Sequence, residues 1–168
     1  MVEYEYIDIV DENDNVISKD TPGNVRKRNL IHNVRVVNIF LFNPKGKLLL
    51  PRRSKNRRMF PGCYDFSVGE HVKSGEDYYD AAIRGLKEEL GITNLKPVEL
   101  GKLTPKDGVN CFMKIYKIIY DGEIVNYDKD GIAEMSFYDL ETINKMIKKD
   151  RTKFKEDFPK VLEWYLKN

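Results

Sequence analysis

The chain has few of the residues that build disulfide frameworks or structural zinc sites. Its 168 residues include two cysteines, Cys63 and Cys111, and two histidines. Two cysteines so far apart in sequence give no disulfide framework and no closely spaced zinc ligands. This composition is typical of a reducing compartment, and we expect a cytoplasmic protein.

Long apolar runs and a strong charge excess are also missing. No run approaches the roughly 20 apolar residues that span a bilayer, and the N-terminus lacks the apolar core of a signal peptide. The 29 basic and 27 acidic residues leave a formal net charge of +2, which does not indicate general nucleic-acid binding. Without repeats or low-complexity segments, we expect one domain over residues 1–168 and no membrane partner.

The segment Gly75–Ile92 carries the clearest pattern in the chain. Ser74 and Asp77 are residues that favour a helix N-terminus, and Gly91 favours helix termination. At about 100° per residue, one side of this helix is apolar. That side is predicted to pack on a core through Tyr79, Ala82, Ile83, Leu86 and Leu90.

The other side of the predicted helix holds Arg84, Gly85, Glu88 and Glu89. The adjacent glutamates repel each other unless a positive charge lies between them, and Arg84 can pair with Glu88 one turn later. Carboxylate oxygens that converge on one point are typical ligands of Mg²⁺ or Mn²⁺. Taken alone, such a pair is also typical of a solvated helix face.

The wider spacing resembles the signature of the Nudix hydrolase family, G-x5-E-x7-R-E-U-x-E-E-x-G-U, in which U is aliphatic. The resemblance implies an α/β fold, the Nudix α/β/α sandwich with a mixed central sheet. It also implies a metal-dependent pyrophosphohydrolase that uses Mg²⁺ or Mn²⁺ to cleave a nucleoside diphosphate linked to another group. The signature region covers residues 69–92. Its identities are Glu76, Arg84, Glu88, Glu89 and Gly91, with Leu86 and Ile92 in the aliphatic positions.

The resemblance assigns roles to individual residues of this region. Glu88 and Glu89 would hold the metal ion, with the backbone carbonyl of Gly69 as a further ligand. Arg84 would orient the glutamates, and Glu76 would support the loop or a metal-bound water.

The residues before this region are similar to one Nudix branch, which includes isopentenyl-diphosphate isomerase. The similarity runs through residues 60–72. Arg53 and Arg57 match basic residues that bind the diphosphate in that branch, although a basic run is also typical of a solvated loop. His71 matches a metal-binding histidine of the isomerase. Gly69 stands where the isomerase has its catalytic cysteine, which argues against isomerase activity.

Two positions depart from the signature, because Glu70 replaces its opening glycine and Gly85 replaces its first helix glutamate. Glu70 is a candidate substitute for the missing carboxylate. Close packing against a strand would also explain Gly85, since glycine inside a helix costs roughly 0.5–1 kcal/mol relative to alanine. If no residue substitutes, the alternative is a catalytically weakened Nudix domain that binds a nucleotide or diphosphate metabolite. Glu134 is a further candidate ligand or base, or else a surface carboxylate.

The rest of the chain divides into short strands and helices. Residues 1–30 are predicted to form an N-terminal hairpin, Tyr4–Val10 with Val16–Lys19, and a connection, Thr21–Leu30. The partner we expect is a small-molecule diphosphate substrate, and an apolar edge or a swapped N-terminal hairpin would support a homodimer. Later strands are predicted at Val34–Phe42, Lys47–Arg52, Tyr64–Val68, Val98–Leu103, Asn110–Tyr120 and Ala133–Tyr138, and helices at Thr142–Lys149 and Pro159–Leu166.

Overall fold

A computed structural model describes residues 5–168 and is built around a mixed β-sheet. A separate two-stranded hairpin precedes this six-stranded sheet. The strands are β1 (Ile7–Val10), β2 (Val16–Asp20), β3 (Arg35–Phe42), β4 (Leu48–Arg53), β5 (Val68–His71), β6 (Val98–Leu103), β7 (Phe112–Ile119) and β8 (Ile132–Tyr138). The helices are α1 (Pro22–Lys27), α2 (Tyr78–Leu90), α3 (Leu140–Lys149) and α4 (Phe158–Lys167).

Strand β3 is the centre of the sheet. It pairs in parallel with β7 along its whole length, and the sheet follows the order β6-β7-β3-β4-β8. Strand β4 meets β3 at Phe42 and Leu48, whereas β5 pairs antiparallel with β3 from Val36 to Ile39. Thus β5, which leads directly into the loop before α2, is held against the middle of the sheet.

Helices cover both faces of this sheet because β3 is apolar on both sides. Phe40 and Phe42 belong to one buried cluster, which also holds residues of α1, α3 and α4. Ile39 and Leu41 belong to the other, which holds the buried side of α2. Alternation of side chains along a strand places these two sets on opposite faces. The fold is therefore the α/β/α sandwich with a mixed central sheet that the sequence predicted.

The hairpin of β1 and β2 is anchored to the sheet through Asp14 in its turn. Arg35 donates to Asp14 from Nε at 2.6 Å, and the Tyr78 hydroxyl donates at 2.9 Å. Lys102 forms a further ion pair with the same carboxylate. Burial acts to raise the pKa of Asp14, but bonds from Lys102, Arg35 and Tyr78 outweigh it, so the pKa lies below its ordinary value.

Several boundaries differ from those that the sequence predicted. The connection Thr21–Leu30 contains helix α1, whose first turn is capped by the Thr21 hydroxyl. The strand predicted at Tyr64–Val68 lies later, at Val68–His71, and Tyr64 forms only isolated bridges. Tyr4, the predicted start of β1, lies outside the described residues. No helix within residues 5–168 has the length and apolar character needed to cross a bilayer.

Candidate metal and diphosphate site

Helix α2 begins after Asp77, whose carboxylate accepts a hydrogen bond from the Asp80 backbone N–H at 2.7 Å. It ends at Gly91, whose φ of +66° suits glycine. The predicted apolar face is partly wrong, since Tyr79 and Ile83 are 40% and 37% exposed. The buried face is rotated relative to the prediction and consists of Tyr78, Ala81, Ala82, Gly85, Leu86 and Leu90.

Arg84, on the polar side of α2, contacts the carboxylates of three glutamates. Its guanidinium donates to Glu76 at 2.8 and 3.1 Å, to Glu88 at 3.1 Å and to Glu70 at 3.3 Å. It also donates to the backbone carbonyl of His71 at 2.7 Å. The Arg84 guanidinium therefore holds strand β5, the loop that follows it and helix α2 together.

The Glu76 side chain closes the loop between β5 and α2. It accepts the Lys73 backbone N–H at 2.9 Å in addition to the bonds from Arg84. Burial acts to raise the pKa of Glu76, but Arg84 and Lys73 outweigh it, so the pKa is lowered. Glu76 is thus held as a carboxylate whose contacts shape the loop.

Glu70 and Gly85 pack directly against each other. A Cβ placed on Gly85 would lie 2.8 Å from Glu70 Cγ and 2.8 Å from Val68 Cγ1. Close packing against strand β5 therefore explains this glycine. The Glu70 side chain lies over the helix at the position where the family signature has a glutamate, and burial raises its pKa although Arg84 opposes the shift.

Glu89 lies beneath the backbone of Gly69, whose N–H donates to Glu89 Oε2 at 3.3 Å. Its side chain retains a small exposed surface, yet protein atoms surround it closely. Burial raises the pKa of Glu89 well above its ordinary value, and the charges of Glu70 and Asp65 raise it further. Among the described residues no ion pair includes Glu89, so its carboxylate is a buried acceptor that a cation would stabilise.

Glu88 is more exposed than Glu89. Its side chain is 50% exposed and pairs with Arg84. Within residues 5–168, no three Asp, Glu, His or Cys side chains converge into a ready-made metal site. Mg²⁺ commonly binds through one or two carboxylates and completes its shell with water and substrate phosphate. Glu89 and Gly69 line one cavity, whereas Glu88 does not line it.

A cavity of about 430 Å³ opens beside Glu70 and Glu89. Basic side chains also line it, namely Arg26, Arg53, Arg57, Arg58 and Lys155. The Lys155 ammonium pairs with Asp65 at 3.7 Å. Apolar side chains contribute a further part of the lining. They include Val34, Val36, Met59, Phe60 and Phe66. The cavity thus brings carboxylates, cations and apolar side chains together.

The two arginines predicted to bind diphosphate line this cavity, and each also contacts protein groups. Arg53 pairs with Asp65 at 2.8 Å and donates to the Met59 carbonyl at 2.9 Å. Arg57 pairs with Asp128 at 3.4 Å. The contacts of Arg53 hold the loop that carries Phe60, whose φ of +50° is disfavoured for a bulky residue.

The sequence did not identify Arg26 as a site residue, because its basic run was predicted to be a connection. Arg26 reaches the cavity because Thr21 caps α1 and Pro22 occupies its first turn. That Thr-Pro pair is a helix-start signal, and it was present in the sequence.

Glu134, His71 and Cys111 lie in three different environments. Glu134 is a surface carboxylate on β8 that pairs with Arg52 at 3.0 Å and does not line the cavity. His71 lies at the cavity rim, where surrounding protein and the charges of Lys155 and Arg26 lower its pKa to about 4. Cys111 also lines the cavity, and burial raises the pKa of its thiol to about 12.

Residues 32–164 match the NUDIX domain family. The chain is 41% identical over 171 residues to an uncharacterized Nudix hydrolase of Nostoc sp., covering 100% of this chain and 99% of that protein. The chain therefore belongs to the Nudix family, whose hydrolases act on phosphoric anhydride bonds and generally require divalent metal ions.

Two further similarities agree with this assignment. The crystal structure of DR0079 from Deinococcus radiodurans has a TM-score of 0.87 and 30% identity, covering 95% of this chain and 98% of that chain. Isopentenyl-diphosphate Delta-isomerase 1 of Mesocricetus auratus is 32% identical over 165 residues, covering 84% of this chain and 72% of that protein. The chain is thus a Nudix hydrolase with a measurable similarity to the isomerase branch.

Proposed function

We propose that this Nudix hydrolase is a Mg²⁺- or Mn²⁺-dependent pyrophosphohydrolase that cleaves a nucleoside diphosphate linked to another group. The observation that supports this most directly is the Glu89 carboxylate, which protein atoms enclose and which lines the same cavity as several cationic side chains. A divalent cation at Glu89 would satisfy the carboxylate and attract a diphosphate. The apolar part of the cavity wall suits the organic part of such a substrate.

Glu88 and Glu89 would hold the metal ion, together with the backbone carbonyl of Gly69. When bound, the metal neutralises the diphosphate and positions water for attack at phosphorus. Arg84 keeps Glu88 in place through its 3.1 Å contact, and Glu76 keeps Arg84 in place. These two residues act by positioning the carboxylates.

Glu70 would supply the carboxylate that Gly85 lacks. Its Cγ lies 2.8 Å from the point where a side chain on Gly85 would begin, so Glu70 enters the same space from strand β5. Arg84 contacts Glu70 and Glu88 through the same Nη1 nitrogen. This shared contact keeps the carboxylates of Glu70 and Glu88 close to each other.

Arg53, Arg57 and Lys155, which line the same cavity, would bind the phosphates. Guanidinium groups bind phosphate through paired hydrogen bonds. Arg53 is braced by Asp65, whereas the 3.4 Å pair of Arg57 with Asp128 is longer and more exposed. Arg57 can therefore turn toward a phosphate at a lower cost than Arg53.

A second candidate function is binding without efficient turnover. The observation that favours it is that no three metal-ligating side chains are preassembled within residues 5–168. A domain of this kind would bind a nucleotide or diphosphate metabolite and hydrolyse it slowly.

A cytoplasmic location and a homodimer are further predictions from the sequence. Measurements of localisation in the cell and of mass in solution would test them.

The experiment that separates these functions measures phosphate release from a panel of nucleoside-diphosphate derivatives with Mg²⁺ or Mn²⁺. We expect turnover by the native protein and a loss of roughly a hundredfold or more in Glu89→Gln, since the substitution removes a metal-binding charge. Lys87→Gln, an exposed change on the same helix, is the matched control. Binding without turnover for every member of the panel would contradict hydrolysis and support the second function.

A further inference from the structure

Three polar side-chain atoms converge on the place that a side chain at Gly69 would occupy. A Cβ built on Gly69 would lie 3.0 Å from Asn38 Oδ1, 3.7 Å from Lys155 Nζ and 4.0 Å from Asp65 Oδ1. Asn38 and Asp65 are buried, and Asn38, Gly69 and Lys155 line the cavity of the candidate site. A polar group of the size of one oxygen atom, bound near that position, would therefore have several partners.

The Asn38 carboxamide directs its oxygen toward this position. Its Nδ2 faces Met113 Sδ at 3.6 Å, and a thioether sulfur accepts hydrogen bonds but cannot donate one. The reverse orientation would place the amide oxygen against the sulfur, with two acceptors in contact. Among the described residues no donor contacts Asn38 Oδ1. An enclosed acceptor gains from a donor, so a donating group above Gly69 would stabilise this arrangement.

The Lys155 ammonium supplies the opposite kind of partner. It pairs with Asp65 Oδ1 at 3.7 Å, which keeps it beside Gly69. Asp65 is itself held by Arg53, which donates to its Oδ2 at 2.8 Å. An ammonium group has three N–H donors and no acceptor. Lys155 can therefore donate to a group above Gly69 and still contact a phosphate.

An acceptor and a donor at one position select a neutral oxygen that both donates and accepts hydrogen bonds. Water has this property, whereas an ionised phosphate oxygen cannot donate to Asn38 Oδ1. A buried water typically makes about three hydrogen bonds to polar groups. The position also adjoins Glu89, because the Gly69 N–H donates to Glu89 Oε2 at 3.3 Å. A water held there would lie beside the carboxylate to which the proposed function assigns the metal ion.

We propose that Asn38 and Lys155 hold the water that attacks phosphorus, in the space above Gly69. The proposal rests on the function proposed above and adds two residues that contact the reacting oxygen. Asn38 Oδ1 accepts one proton of the water and Lys155 donates to one lone pair, which leaves the second lone pair for phosphorus. As the water oxygen bonds to phosphorus, the bridging P–O bond breaks and its electron pair stays on the leaving phosphate. The proton that the water releases passes to a phosphate oxygen of a product.

A high-resolution crystal structure of the native protein tests the site directly. We expect an ordered water within about 3.2 Å of both Asn38 Oδ1 and Lys155 Nζ. Gly69→Ala places a methyl group in the same space, so its crystal structure should lack this water. A native structure with no water between these two atoms would overturn the proposal.

Hydrolysis kinetics test whether this water reacts. Asn38→Leu keeps the approximate size of the side chain but removes the acceptor. It should lower kcat roughly tenfold to a hundredfold and change KM less than about twofold, since the lost contact positions water and not substrate. Asn33→Leu is the matched control, because it removes a partly buried carboxamide outside the cavity. Its kcat should stay at the native value.

The combination of Asn38→Leu with Gly69→Ala separates a shared water from two independent structural effects. Both changes remove the same water, so the double variant should lose little more kcat than the weaker of the two single variants. Losses that multiply would contradict the proposal. A raised KM with native kcat in Asn38→Leu would assign the position to a hydroxyl group of the substrate and would also overturn it.

Two further outcomes remain decisive. If thermal unfolding shows that Asn38→Leu is not folded, Asn38→Ser provides the same comparison, since its shorter side chain withdraws the acceptor. If no member of the panel is hydrolysed, the proposed function fails. An ordered water in the native crystal would then still support the binding site above Gly69.

Discussion

Glu70 Cγ lies 2.8 Å from the position that a Cβ on Gly85 would occupy. The two residues that depart from the family signature are therefore in contact, and their sizes are complementary. A glutamate on the strand fits because the facing helix residue has no side chain. Val68 Cγ1 lies equally close, so Glu70 is one of two strand side chains that leave room only for glycine there.

The first prediction concerns the stability of this packing. Gly85→Ala should destabilise the native protein by about 1–3 kcal/mol, because the new methyl group overlaps Glu70 and Val68. In a Glu70→Gly background the penalty should be smaller, since one of the two obstructing side chains is gone. Urea unfolding of the native protein, of Gly85→Ala, of Glu70→Gly and of the double variant gives the coupling energy between the two positions.

Gly23 offers a matched control for that substitution. It also lies in a helix, and a Cβ added there would meet only Arg26 Nη2, at 4.0 Å. Gly23→Ala should therefore be neutral or slightly stabilising. Equal penalties for Gly85→Ala with and without Glu70 would show that the two side chains are not coupled.

The second prediction concerns metal affinity. Glu70→Gln should weaken Mn²⁺ binding roughly tenfold, because a nearby anionic oxygen is lost from the site. The exchange variant Glu70→Gly with Gly85→Glu, which restores the family pattern, should bind Mn²⁺ more tightly than Glu70→Gly alone. Electron paramagnetic resonance of free Mn²⁺ measures both affinities. If Glu70→Gln binds like the native protein, Glu70 does not substitute for the missing carboxylate.

The elements that the sequence predicted best are those in which local pattern and packing agree. Strand β6 has the predicted bounds Val98–Leu103, and Gly91 ends α2 as predicted. The face of α2 was misassigned because Tyr79 and Ile83 are apolar but remain 40% and 37% exposed. Hydropathy alone could not show that the sheet meets the helix on the side of Gly85.

Local spacing predicted one contact of the candidate site, but not its contacts between residues distant in sequence. The pairing of Arg84 with Glu88 follows from a separation of one helical turn. The contact between Glu70 and Gly85 depends on how closely β5 approaches α2, which no local pattern determines. Arg26 was not identified because it lines a cavity formed by residues that are distant in sequence.

The third prediction concerns Arg84. Arg84→Met should destabilise the protein by about 3–5 kcal/mol, because Glu70 and Glu76 would lose the cation that holds them in a partly buried site. The control is Arg28→Met, because the native Arg28 side chain is 57% exposed and pairs with Asp20. That variant should lose less than about 1 kcal/mol. Similar losses in chemical denaturation of both variants would contradict a central role for Arg84.

The fourth prediction concerns the pH dependence of stability through Asp14. Its pKa is lowered in the folded protein, so its ion pairs stabilise the fold above the unfolded pKa of about 4 and are lost as pH falls through the lower folded value. Asp14→Asn should therefore be less stable than the native protein between pH 5 and 7. The difference should shrink below about pH 4, where both proteins lack this charge in the unfolded state and the native protein begins to lose it in the folded state. Urea unfolding at a series of pH values measures this difference in stability. A difference that stays constant down to pH 2 would show that Asp14 anchors the hairpin without its charge.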